Sequence, residues 1–167
     1  MKDPFKKLYG NIKSCGFEVD ENGKLLSIAS GAPGSSSHRI IYDRMKKGET
    51  IYYDDVKDEY KVKLVKLTID DLKRKWKAQN HRCYWLDIPL DPKWIFEPSH
   101  PGSLSCDRLD EDEHYTYDNI VITCRFANLG RGLSHVRQFS EWLHYLKGTL
   151  TDTGVGIERL IRNAKHV

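Results

Sequence analysis

Leu104-Ser105-Cys106-Asp107-Arg108-Leu109 and Asn119-Ile120-Val121-Ile122-Thr123-Cys124 are the two stretches on which the fold turns. Each reads as a short strand, and a polar, acidic segment from Asp110 to Asp118 joins them. Two such runs with a polar connection form a hairpin. A helix is predicted to start near Cys124 and run past Asn128, so the unit is strand, strand, helix. Asp107 falls on the first strand, Asn119 opens the second, and Asn128 lies in the helix. Packing the hairpin on the helix brings a carboxylate and two amides close, although 21 residues separate the first from the last. Such hard oxygen donors suit Mg²⁺, which takes one or two protein ligands and completes its shell with water and substrate phosphate. A metal held there can stabilise the leaving oxygen of a phosphodiester. Without that chemistry the same three residues are turn formers, a role both types often have.

Working outward, Thr68-Ile69-Asp70-Asp71 resembles an N-cap with an acidic residue three positions on. It opens a helix with Ile69, Leu72 and Trp76 on one face, stopping near Gln79-Asn80. Cys83-Tyr84-Trp85-Leu86 then leads through a Pro-rich irregular segment to Pro101-Gly102. At the start of the chain, Phe5, Leu8 and Ile12 mark an amphipathic stretch. Asn22-Gly23, between Phe17-Glu18-Val19 and Leu25-Leu26-Ser27-Ile28, signals a hairpin. A low-complexity loop covers Ser30 to Ser37, and strands are predicted at Ile51-Tyr52-Tyr53 and from Tyr60 to Val65. A further helix carries Phe139, Trp142, Leu143 and Leu146 and is predicted to end before Gly148; a last one carries Ile157, Leu160, Ile161 and Ala164. The expected fold class is α+β. Residues 1–67 form a mixed helix and strand extension, 68–132 a hairpin-and-helix core, and 133–167 helices packing on that core.

The chain has 167 residues, enough for one domain with a real core. Apolar runs reach three or four residues, which excludes a transmembrane helix, and Met1-Lys2-Asp3-Pro4-Phe5 has no apolar signal core. A cytoplasmic location is expected, with Cys15, Cys83, Cys106 and Cys124 kept as reduced thiols. The net charge of +3 is too small to indicate nucleic acid by itself, and it is uneven. Residues 1–67 carry 13 basic and 10 acidic groups, whereas residues 68–167 carry 14 of each. Lys46-Lys47, Lys61, Lys63 and Lys66 make the first part a candidate DNA-contacting element.

Residues 68 to about 132, roughly two-fifths of the chain, resemble the HNH endonucleases of the ββα-metal superfamily. The resemblance rests on Thr68 to Leu72, Gln79-Asn80-His81-Arg82-Cys83, Ile88-Pro89-Leu90, Ser103 to Asp110, and Tyr115 to Ile122 through Asn128. The Asp107-Arg108-Leu109-Asp110 run is that of the phage-type branch. The resemblance implies a ββα-metal core and a Mg²⁺- or Mn²⁺-dependent nuclease acting on DNA, of phage or mobile-element type. It assigns Asp107 and Asn128 to the metal and Asn119 to holding the hairpin loop in shape. One such site cuts one strand, so nicking or cutting both strands depends on oligomeric state, a homodimer being one form that would cut both.

One departure stands out. The position after the metal-binding aspartate usually holds the general-base histidine, and here it is Arg108. Arginine stays protonated and accepts no proton from water, which leaves it phosphate binding or charge stabilisation. His100, Asp110 and His114 compete for the base, with His100 and Asp110 the preferred pair. A straight strand would put His100 roughly 23 Å from Asp107 at about 3.3 Å per residue, so it serves only if Pro101-Gly102 turns the chain back. Relatives of the recombination endonuclease VII type carry two Cys-x-x-Cys knuckles on zinc. Here Cys83 and Cys124 stand at the first positions and Leu86 and Ala127 at the second, so no structural zinc is expected. Cys106 could add a third sulfur, but its neighbour Asp107 should point to the opposite strand face. Arg125, Arg131 and Arg137 are candidate phosphate contacts. The alternative from another class is a DNA-binding or assembly protein that keeps the fold without turnover; a weaker one is an RNA- or toxin-type nuclease.

Overall fold

The computed structural model describes residues 2–28, 36–55, 63–97, 99–132 and 134–153. Its architecture is mixed α+β, with five α-helices and two small sheets among these residues. Residues up to Gly130 form one compact unit, and the chain from Arg131 forms a second. No helix among the described residues is long and apolar enough to cross a membrane.

Helix α1 (Pro4–Lys13) starts where Asp3 accepts the backbone N–H of Phe5, with Pro4 as its first residue. Phe5, Leu8 and Ile12 lie at helical spacing and are buried. Strands β1 (Phe17–Val19) and β2 (Leu25–Ile28) pair antiparallel around a turn in which the Asp20 carboxylate accepts the N–H groups of Asn22 and Lys24. Strand β3 (Leu64–Val65) adds parallel to β1, giving the order β2-β1-β3. Ile41 of α2 (Ser36–Lys46), Phe17, Leu25, Ile51 and Leu64 make one buried cluster against this sheet.

Helix α3 (Ile69–Ala78) has a complete capping box: Thr68 Oγ1 accepts the Asp71 N–H at 3.1 Å, and the Asp71 carboxylate accepts the Thr68 N–H at 2.9 Å. It ends at Gln79, after which Asn80 and His81 take left-handed backbone angles, φ 51° and 62°. Strands β4 (Leu104–Arg108) and β5 (Ile120–Cys124) pair antiparallel, and α4 (Arg125–Arg131) follows directly. The larger core joins Leu8 and Ile12 of α1, Val65, Leu72, Leu104, Ile120, Ile122 and Ala127. Residues before Thr68 and the β4–β5 hairpin therefore share one interior.

Helix α5 (Val136–Thr153) lies in the second unit and stacks the Phe139 and Trp142 rings, centroids 6.1 Å apart. It runs through Gly148, where the sequence predicts an end. Gly148 lacks the left-handed angle that a helix-ending glycine adopts, which Gly132 has after α4 at φ 54°. Ile51-Tyr52-Tyr53 is not a strand. Tyr52 makes a single bridge to Lys24, and the Asp55 carboxylate takes its N–H at 2.9 Å, closing a 3₁₀ turn over Tyr53–Asp55. The Ser30–Ser35 part of the low-complexity loop, the strand residues Tyr60 to Val62 with Lys61, and the last predicted helix lie outside the described residues.

The approach of β1 to β3 requires glycine at position 16. A Cβ there would sit 2.5 Å from the Lys63 carbonyl oxygen, a backbone atom that cannot swing away. Gly16→Ala is expected to cost about 1–3 kcal/mol, as overpacking does, read as a lower urea midpoint at unchanged slope.

Candidate active site

Antiparallel register sets Asp107 opposite Val121 on β5. Side chains alternate along a strand, so Ser105 and Asp107 share one face of β4 while Leu104 and Cys106 face the other. Leu104 is in the core and Cys106 packs against it. Asp107 is only 6% exposed, and the Trp85 indole N–H donates to its Oδ2 at 2.9 Å. Burial raises the cost of a carboxylate unless it is hydrogen-bonded, and the indole meets part of that need. Helix α4 starts without a linker because Arg125 and Phe126 donate their N–H groups to the carbonyls of Ser103 and Pro101, at 2.8 and 2.9 Å. These are orphan donors of a helix first turn, met by the segment entering β4. Asn128 on this helix reaches back: its Nδ2 donates to Ser105 Oγ at 2.7 Å and to the Cys106 carbonyl at 3.3 Å. Its amide oxygen therefore lies on the other branch of the planar group. Ser105, which Asn128 touches, is roughly 6.6 Å along the strand from Asp107 on the same face.

The acidic connection is held at several points. Asn119 Oδ1 accepts the Asp110 N–H at 2.8 Å, and its Nδ2 donates to the carbonyls of Asp110 and His114, both at 2.9 Å. Arg108 donates from one guanidinium nitrogen to the carbonyls of Glu111 and Glu113, both at 2.7 Å, and lies over the Tyr115 ring. Lys63 donates to the Asp112 carbonyl at 2.7 Å. Tyr115 joins β3 as a one-residue strand: its N–H donates to Leu64 O and its carbonyl accepts the Lys66 N–H, each at 2.9 Å.

The three candidate bases occupy different surroundings. The chain does turn at Pro101-Gly102, with the Ser103 N–H on the His100 carbonyl at 3.1 Å. His100 stacks on Trp94 with centroids 4.5 Å apart, and its Nδ1 accepts the Gly102 N–H at 3.0 Å. The neutral ring then carries its proton on Nε2. The run from Leu104 to Asp107, roughly 10 Å at 3.3 Å per residue, separates that turn from Asp107. His114 is half-buried, with Nε2 2.8 Å from the Tyr53 hydroxyl and Nδ1 accepting the Leu64 N–H at 3.4 Å. Asp110 is exposed, and its Oδ1 accepts the Asp112 N–H at 2.9 Å.

Of the three arginines, Arg125 is exposed and Arg137 is exposed with Glu141 2.8 Å from its Nε. Arg131 is buried, 3% exposed, and so is not the surface phosphate contact that the sequence suggests. The position in the chain is right for α4, but its side chain turns inward.

Cys83 and Cys124, read as the first positions of two lost knuckles, do meet: their sulfurs are 3.8 Å apart and both residues are buried. The Ala127 N–H donates to Cys124 Sγ at 3.4 Å. Among the described residues no three His, Cys, Asp or Glu side chains cluster as a metal cage.

Sequence reasoning missed Trp85, Ser105 and Gln79. Gln79 acts as a substitute strand, its Oε1 accepting the Ile122 N–H at 2.8 Å and its Nε2 donating to the Ile122 carbonyl at 2.7 Å. A polar residue just past a helix end was the only signal, and none marks Trp85.

Burial, reinforced by the positive charge of Lys66, holds His114 below the ordinary histidine range. The unfolded chain therefore takes up this proton at higher pH than the folded one, and folding stability falls as pH drops through about 6.5. The wild-type urea midpoint is expected to decrease between about pH 7 and 5, and His114→Gln to flatten that part of the profile. An unchanged slope in the variant would move the effect to other groups. No protein-family model, characterised protein or solved structure matches the chain.

Proposed function

We propose that this chain is a divalent-metal-dependent DNA endonuclease with a ββα-metal core, hydrolysing phosphodiester bonds. One observation carries the reading. A strand–strand–helix unit has its connection clamped by Asn119, while Asn128 reaches from the helix to the strand that bears buried Asp107. In this reading Asp107 and the amide oxygen of Asn128 hold Mg²⁺ or Mn²⁺, a carboxylate-plus-amide set that fits such ions. When bound, the ion supplies charge stabilisation for the leaving oxygen.

The chain's own residues do the rest. Trp85 fixes one oxygen of Asp107. Ser105 and the Cys106 carbonyl hold the nitrogen side of Asn128, which leaves its oxygen for the ligand role. Arg108 shapes the connection through two carbonyls and takes no proton. Both ring nitrogens of His114 face partners, and His100 Nδ1 already accepts a hydrogen bond. An ionised carboxylate has about four acceptor sites, so Asp110 keeps lone pairs beyond the one taken by Asp112. The proposal therefore gives the water-activating role to Asp110. Exposed Arg125, at the start of α4, is the phosphate contact nearest the hairpin in sequence.

A second reading, a DNA-binding or assembly protein without turnover, is favoured by one fact: the residue at the usual base position spends its guanidinium on the loop. Incubating supercoiled plasmid with the protein and Mg²⁺, Mn²⁺ or a chelator separates the two. Metal-dependent nicking is expected, abolished by Asp107→Ala. Asp110→Asn keeps an oxygen for the Asp112 N–H and is expected to slow nicking by about 10²-fold or more while DNA binding persists. Nicking that survives Asp107→Ala would sink the assignment. DNA binding without nicking by either metal would select the second reading.

A further inference from the structure

Cys83 and Cys124 are 41 residues apart in sequence, yet they share a thiol–thiol hydrogen bond at 3.8 Å. Cys83 lies in the turn after α3 and Cys124 ends β5, each 1% exposed. Their surroundings hold both sulfurs in place. The Cys124 N–H donates to Cys83 Sγ at 3.4 Å, and Thr123 Oγ1 lies 3.2 Å from the same sulfur. The Ala127 N–H donates to Cys124 Sγ, also at 3.4 Å. A disulfide bond is about 2.05 Å long, so under roughly 2 Å of approach separates this pair from one.

We propose that Cys83 and Cys124 form a peroxide-oxidised dithiol, whose disulfide staples the root of the β4–β5 hairpin. The oxidant has to be small, because residues this buried exclude a bulky disulfide such as oxidised glutathione. In the first step the Cys83 sulfur, as thiolate, attacks one oxygen of hydrogen peroxide. The O–O bond breaks, hydroxide leaves and takes a proton to become water, and Cys83 becomes a sulfenic acid. In the second step the Cys124 sulfur attacks that sulfur. The S–S bond forms, the S–O bond breaks, and the oxygen leaves as water with the Cys124 proton. The dithiol gives up two electrons and two protons, and one peroxide becomes two waters. The Cys124 N–H donating to Cys83 Sγ, with Thr123 Oγ1 beside the same sulfur, favours Cys83 as the attacking thiolate. The bond would enclose the whole hairpin in one covalent loop. The turn that carries Cys83 also carries Trp85, so closure acts on the partner of Asp107.

The test uses the full chain with exposed Cys15 changed to serine, so that surface oxidation does not intervene. After exposure to millimolar hydrogen peroxide the protein is denatured, alkylated, digested and mapped by mass. A Cys83–Cys124 linked peptide about 2 Da below the sum of its reduced halves is expected, with a melting temperature several degrees higher that dithiothreitol reverses. Three results would overturn the proposal. They are alkylation of both cysteines after peroxide, a bridge to Cys106 instead, or one equivalent of zinc bound to the purified protein, which would occupy these thiolates.

Discussion

The connection between β4 and β5 carries five carboxylate residues in nine positions, and it has to be held in one shape against its own repulsion. Backbone carbonyls, rather than the carboxylates, take most of the load. Asn119 binds two of them, Arg108 two more and Lys63 another. Carbonyls from a single turn converging on these donors fix its path, which leaves the Asp110, Asp112, Glu113 and Asp118 side chains at the surface while one Glu111 carboxylate oxygen is buried. Docking of Tyr115 against β3 then ties this turn to the first sheet, so the hairpin and the α1–β3 region fold around one core.

That constraint decides what surrounds Asp107. The strand entering the clamped turn has no freedom to slip in register, because a one-residue shift would turn Leu104 and Cys106 outward and Asp107 into the core. Asp107 stays on the face that Asn128 and Trp85 approach, buried but hydrogen-bonded. Arg108, one residue on, points to the other face and serves the turn. Adjacent residues of one strand thus divide the work, the carboxylate toward the candidate site and the cation toward the scaffold.

Features set by local chemistry were legible in the sequence. Thr68 and Asp71 announce a capping box within four residues, and Phe5, Leu8 and Ile12 mark a buried helix face by spacing alone. The strand–strand–helix order around Asp107, Asn119 and Asn128 was readable because each element has its own period. What escaped depends on partners distant in sequence. Trp85 finds Asp107 across 22 residues and Gln79 finds Ile122 across 43, with no pattern that spacing could expose. Ile51 and Tyr53 do pair with Leu25 and Gly23, but the 3₁₀ turn at Tyr53–Asp55 stops that pairing after one bridge. Arg131 had the right position in its helix and the wrong side of it. Cys83 and Cys124 were singled out as ancestral positions, and their meeting is a tertiary fact.

The proposed metal centre is tested most directly by crystals grown with Mn²⁺ and examined by anomalous diffraction. The account predicts a peak about 2.1 Å from a carboxylate oxygen of Asp107 and from the amide oxygen of Asn128, absent in Asp107→Ala. A peak among Asp110, Glu111, Asp112 and Glu113 instead, or none beside Asp107 at saturating Mn²⁺, would contradict it.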